Sequence, residues 1–182
     1  LKCQPVETGL EVLIRDEFRI LKGKRVGLIT NPTGVDRNFR SVVDILHNAS
    51  GIKLSALYGP EHGVRGEFTA GEIIGSAKDP VTGITVYSLY GKTRKPSPEM
   101  LRDIDILVYD IQDIGSRSYT YISTLGLVME AAAENDIPFV ILDRPNPLGG
   151  NRMEGPLVQP GFFSFVSQYP IPYIHGLTTG EL

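Results

Sequence analysis

Glu61 and His62 stand side by side in the run Leu57-Tyr58-Gly59-Pro60-Glu61-His62-Gly63, directly after Lys53–Tyr58, which has the pattern of a short strand. Gly59 and Pro60 already end that strand, so neither the acid nor the imidazole is needed as punctuation. A polar pair at the carboxyl end of a buried strand lies where open α/β sheets hold their ligands. The plainer alternative is a turn that is merely polar. Three other strand ends carry similar groups: Thr30 and Asn31 after the first strand, Asp110, Gln112 and Asp113 after the strand through Leu107, and Asp143, Arg144 and Asn146 after the last. Any one of these sets reads equally as turn formers or helix caps. Four on one sheet edge are read as a site.

Carboxylates with a histidine, and no metal or phosphate motif, suit general acid–base chemistry. A Glu held near apolar walls has its pKa raised and can deliver a proton to a leaving oxygen. Glycoside hydrolysis asks for such an acid and usually for a second carboxylate on the opposite face. Arg65, Arg117 and Arg144 would bring guanidinium forks to the same edge, and such forks bind carboxylates in a bidentate way. For any single arginine the plainer reading is a surface charge or a loop staple. Tyr58, Tyr87, Tyr90, Tyr119 and Tyr121 flank these turns, either as stacking platforms for sugar rings or as core residues with a wet hydroxyl.

The elements that must position these groups alternate. Leu10, Leu13, Ile14, Phe18 and Leu21 repeat at helical spacing behind a Thr8/Glu11 capping box, with Gly23 as the stop. Arg25–Thr30 is a nearly continuous apolar run, as expected of a parallel strand covered on both faces. Phe39–His47 reads as a helix, Lys53–Tyr58 and Ile84–Leu89 as strands, and Pro98–Ile104 as a short helix. Asp105–Ile111 is the clearest buried strand, Tyr119–Asn135 a long amphipathic helix, and Pro138–Leu142 the last strand. Gly63–Gly83 reads as a long loop, Asp143–Gly150 as a Pro/Gly/Asn-rich one, and Met153–Gly176 as loop-like throughout. This alternation predicts one Rossmann-like domain over residues 1–182, a doubly wound and mostly parallel α/β sheet flanked by helices. Thr178 and Glu181 form a capping box at the end of the chain. It predicts a further helix, and hence a native protein longer than this chain.

With a net charge of −3 and no Lys/Arg-rich run, nucleic acid and anionic membrane surfaces are poor partners. The apolar stretches are too short for a membrane span. His47, His62 and His175 lie far apart and Cys3 stands alone, so no metal is expected and no internal disulfide can form. Cys3 lies near the start, where a lipid anchor would be attached, although no hydrophobic signal segment precedes it. The loop Thr30-Asn31-Pro32-Thr33-Gly34 is neither Gly-x-Gly-x-x-Gly nor a P-loop, which argues against a nucleotide; no cofactor is expected.

Four long motifs carry a resemblance: Gly23 through Val35, Gly59-Pro60-Glu61-His62-Gly63-Val64-Arg65-Gly66, Tyr109 through Arg117, and Asp143 through Gly150. Together with the tail Tyr169-Pro170-Ile171-Pro172…His175-Gly176, they resemble the exo-β-N-acetylmuramidases, the NamZ-like family. The resemblance covers essentially the whole chain. It implies a Rossmann-like domain followed by a smaller C-terminal one that this chain lacks, with the active cleft between them. It further implies a glycosidase that removes N-acetylmuramic acid from the non-reducing end of peptidoglycan fragments. Glu61 matches the family's proposed catalytic acid, with His62 beside it as the other catalytic residue expected. Asn31, Arg65, Asp110, Gln112, Asp113, Arg117, Asp143, Arg144 and Asn146 are carried over as cleft lining, the arginines facing the lactyl carboxylate of muramic acid. A peptidoglycan substrate implies a periplasmic or secreted protein. The alternative in another class is a non-catalytic module that binds cell-wall sugars.

Overall fold

Val26, Leu28 and Ile29 are fully buried, as are Leu107 and Val108. Strands this apolar on both faces have to be covered on both, and the chain folds accordingly. A computed structural model describes residues 6–66 and 77–182. Cys3 and the middle of the expected Gly63–Gly83 loop lie outside the described residues. Among the described residues there are six strands, β1 (Arg25–Thr30), β2 (Lys53–Gly59), β3 (Ala77–Lys78), β4 (Thr85–Ser88), β5 (Ile106–Asp110) and β6 (Phe139–Ile141). They lie in the order β3-β4-β2-β1-β5-β6. All neighbours are parallel except β3, which runs antiparallel on the edge beside β4. The mostly parallel α/β sheet expected from the sequence is therefore present.

Helices α1 (Gly9–Arg15), α2 (Val42–Asn48), α3 (Pro98–Leu101) and α4 (Tyr121–Glu134) cover it. Strand alternation sends Val26, Leu28 and Val108 into one core with Leu10, Leu13, Val43 and Leu46 of α1 and α2. The intervening Ile29, Leu107 and Tyr109 enter a second core with Leu101, Leu125 and Val128 of α3 and α4. Two such layers are the doubly wound arrangement.

Helix α3 ends at Leu101, three residues short of the expected Ile104, and three other elements differ from the sequence expectation. The first helix stops at Arg15 although apolar spacing continues to Leu21. Glu17 and Phe18 take left-handed φ values of 53° and 56°, and the Phe18 N–H donates to the Leu13 carbonyl at 2.9 Å. This is a Schellman-type stop made without glycine, and a single 3-10 turn, Arg19–Leu21, then delivers Leu21 to the core. Helix α2 begins three residues later than expected because Ser41 caps it, accepting from the Val43 N–H at 3.2 Å, while Phe39 is left exposed. Strand β3 falls within the expected loop; two residues carry no periodicity to read.

On either side of β1 lie β2, which follows it in the chain, and β5, which the chain reaches from β4 by crossing back over β2 and β1. Their carboxyl ends align: Ile29 pairs with Tyr58 and Thr30 with Asp110. The groups singled out from the sequence therefore share one edge, at the point where the strand order reverses. Among the described residues no helix is long and apolar enough to cross a membrane.

Candidate active site

Glu61 sits on a tight turn after β2, closed by the Gly63 N–H donating to the Pro60 carbonyl at 3.0 Å. His62 occupies the third position of that turn with φ 73°, a left-handed backbone usually given to Gly or Asn. Its imidazole is exposed and has no hydrogen-bond partner among the described residues. The turn holds Glu61 half-buried, facing residues from two other strand ends. From the end of β4, Tyr90 comes within reach of the Glu61 carboxylate, which raises the phenol's pKa. From the first residue of α4, Tyr121 comes within electrostatic reach of the same carboxylate. Burial raises the Tyr121 pKa, a hydrogen bond from Asn31 works against it, and Glu61 adds to the rise.

Asn31 is buried and its amide is oriented by the backbone. Its Oδ1 accepts from the Thr33 N–H at 2.9 Å and from Thr33 Oγ1 at 2.5 Å. Because a backbone N–H can only donate, Oδ1 is fixed as the acceptor and Nδ2 is the donor left over. Thr33 Oγ1 also accepts from the Gln112 N–H at 2.9 Å, tying the β1 loop to the β5 loop. The Tyr109 hydroxyl donates to the Tyr121 carbonyl at 3.1 Å and holds the start of α4 over β5.

The remaining residues expected in the cleft form the framework behind it. Asp110 and Arg144 make a buried bidentate pair, Nε to Oδ1 at 2.6 Å and Nη2 to Oδ2 at 3.0 Å, and Arg144 also donates to the Val35 carbonyl. Burial pushes the Asp110 carboxyl up, and the Arg144 guanidinium pulls against it. Arg65 is held by Asp79 at 2.5 Å and by Asp44 at 2.7 Å, with Asp79 itself almost fully buried. Arg117 donates to the Pro156 and Ile171 carbonyls and lies against the Tyr173 ring. Asp143 accepts from Thr178 Oγ1 at 2.7 Å and the Gly180 N–H at 2.8 Å, fixing the capped turn at 178–181. Gln112 donates to the Asp113 and Pro145 carbonyls, and Asn146 to the Leu177 carbonyl. Asp113 accepts from the Gly115 N–H at 2.7 Å and faces His175 Nε2 at 3.5 Å.

The structure thus gathers Glu61, His62 and Asn31 at the open edge. It turns Asp110, Asp113, Asp143, Gln112, Asn146 and the three arginines into ties between loops. Tyr58 and Tyr87 stack on each other in the core, the Tyr58 hydroxyl donating to the Met100 carbonyl at 2.7 Å. Two residues gain in importance over the sequence reading. Tyr90 follows β4 and was expected only as a stacking platform or a core residue. His175 is buried against Asp113 from 62 positions away, and only the sheet brings them together.

The chain has known counterparts. Residues 26–182 match the family model described as exo-β-N-acetylmuramidase NamZ, N-terminal. The chain is 60% identical over 181 residues to the peptidoglycan β-N-acetylmuramidase NamZ of Bacillus subtilis (strain 168), covering 100% of this chain and 44% of that protein. Two crystal structures of DUF1343 family proteins from Bacteroides fragilis NCTC 9343 superpose on it. One has a TM-score of 0.89 at 63% identity, over 96% of this chain and 44% of its own. The other has a TM-score of 0.83 at 38% identity, over 97% and 45%. The chain thus spans less than half the length of these relatives, and over that span it belongs to the exo-β-N-acetylmuramidase NamZ family, in its N-terminal part.

Proposed function

We propose that this chain carries the proton-transferring group of a glycosidase that releases N-acetylmuramic acid from the non-reducing end of peptidoglycan fragments, with Glu61 as general acid and base. The observation that carries the reading is the placement of Glu61: half-buried at the carboxyl end of β2, on a turn with a left-handed His62, with Tyr90 within reach of its carboxylate. Backbone strain beside a carboxylate on the ligand edge of a parallel sheet is where function is expected.

In this reading Glu61 protonates the leaving glycosidic oxygen as the bond to the anomeric carbon breaks, and charge develops on the ring as an oxocarbenium ion. Tyr90 fixes the carboxyl's orientation. Tyr121 offers a hydroxyl proton on the same side. His62 stands next to the acid, open to solvent. The name of the Bacillus subtilis relative supports the substrate class. Peptidoglycan lies outside the cytoplasmic membrane, so the reading goes with a periplasmic or secreted protein.

The test is release of an aryl leaving group from a synthetic aryl β-N-acetylmuramide by the full-length protein. Glu61→Gln should lower kcat by about a hundredfold or more, the usual scale for removing a general acid, with the unfolding midpoint unchanged. Wild-type turnover by Glu61→Gln would remove Glu61 from the chemistry. A well-folded wild type that binds muramyl sugars without turnover would instead show a sugar-binding module.

A further inference from the structure

If the substrate is a muramic acid, something must meet its lactyl carboxylate, and the three arginines expected to do so are engaged elsewhere. Arg65 is shared between Asp44 and Asp79, Arg144 is locked on Asp110, and Arg117 is tied to two carbonyls. Arg94 differs from them. It has no ion pair or hydrogen bond among the described residues, and its guanidinium carbon lies 4.2 Å from the centroid of the Phe165 ring. A guanidinium placed over a ring face keeps its N–H fork free to meet a carboxylate at two points.

Contacts on both sides fix where Arg94 stands. Phe165 is anchored by its carbonyl, which accepts from Ser123 Oγ at 2.6 Å in the first turn of α4, two residues after Tyr121. The next residue, Lys95, binds Glu130 at 3.2 Å and Glu134 at 2.7 Å along the same helix. Four residues earlier, Tyr90 lies within reach of Glu61, and the charge of Arg94 is felt at the Tyr90 hydroxyl, where it opposes the effect of Glu61. Arg94 is thus a cation on an aromatic platform anchored to the first turn of α4, within electrostatic reach of the Tyr90 hydroxyl.

We propose that Arg94 is a specificity-determining residue of this site and binds the carboxylate of the substrate's lactyl ether while Phe165 holds the guanidinium in place. The proposal rests on the muramidase reading above. An anionic sugar entering the pocket loses part of its hydration, and a cation on the rim offsets that cost.

The experiment compares two substrates in the full-length protein: an aryl β-N-acetylmuramide with its free lactyl acid, and the same compound as the lactyl methyl ester. The two differ in the charge that Arg94 would meet and in one added methyl group. Wild type should favour the acid by about tenfold to a hundredfold in kcat/KM, the range for a hydrogen-bonded charged contact. Arg94→Ala should bring that ratio close to one, mainly through a higher KM on the acid. Arg94→Lys, which keeps the charge and loses the fork, should fall between. An acid-to-ester ratio unchanged in Arg94→Ala would overturn the assignment, as would equal losses on both substrates, which would mark Arg94 as structural. Absence of wild-type turnover on either substrate would remove the muramidase reading and this inference together.

Discussion

Tyr121 shows how much a single fixed amide can determine. The Thr33 N–H orients Asn31 so that its Nδ2 is the donor left over, and the amide acts on the Tyr121 phenol by lowering its pKa. Among the described residues nothing accepts the phenol's proton, so a ligand beside Glu61 can. Tyr121→Phe in the full-length protein should lower kcat/KM on the aryl muramide by about tenfold, the worth of one hydrogen bond to a neutral group. The unfolding midpoint should move by only a few degrees; unchanged kcat/KM would show that the proton has no role. The sequence placed Glu61 and Asn31 at strand ends because Gly-Pro and Asn-Pro stops are local signals. It could not assign Arg94 or the Asp113–His175 contact, since nothing local distinguishes a lysine-flanked surface arginine from one stacked on a phenylalanine 71 positions away.

At the scale of elements, the approach of α1 to β6 sets the position of the loop that carries Asp143 and Arg144. The Gly9 N–H donates to the Asp143 carbonyl at 2.7 Å, and a Cβ on Gly9 would lie 2.5 Å from the Asp143 nitrogen and from the Leu142 Cα. Backbone atoms cannot step aside as a side chain can. Gly9→Ala should therefore cost about 1–3 kcal/mol, the range for an overpacked contact, read as a lower urea midpoint. A neutral or stabilising result would mean that α1 docks with more freedom than the structure shows. The Thr8/Glu11 box that starts α1 was legible because its signal is four residues long, and both of its hydrogen bonds form. The end of α1 was not legible. Apolar spacing ran on to Phe18 and Leu21, yet the helix ends in a left-handed stop that uses Glu17 and Phe18, residues with no turn preference of their own. The strands were read most accurately, since a six-residue apolar run such as β1 allows few alternatives in a sheet covered on both faces.

Across the whole molecule, carboxylates tie distant segments together, and their titration sets the acid limit of the fold. Burial alone would raise the Asp79 pKa, but hydrogen bonds from Arg65 and Thr82 outweigh it and hold the carboxyl at about 2 against the usual 3.8. The hydrogen bond from Arg25 does the same for Asp105, also to about 2. A carboxyl depressed in the folded state contributes stability that is complete above its unfolded pKa and is lost as pH falls toward the folded one. For these two groups the window runs from about 4 down to about 2. Asp110 moves the opposite way: burial raises it, so the cost of its charge is relieved on acidification and partly offsets the loss. Urea midpoints should therefore hold steady above about pH 5 and fall between about pH 4 and 2. Asp79→Asn frees Arg65 from one of its carboxylate partners and unties the loop after β2 from the turn between β3 and β4. It should lower the midpoint at neutral pH and flatten the decline below pH 4, because one of the titrating contributions is gone. If the variant and wild-type curves run parallel through that window, Asp79 does not govern the acid limit.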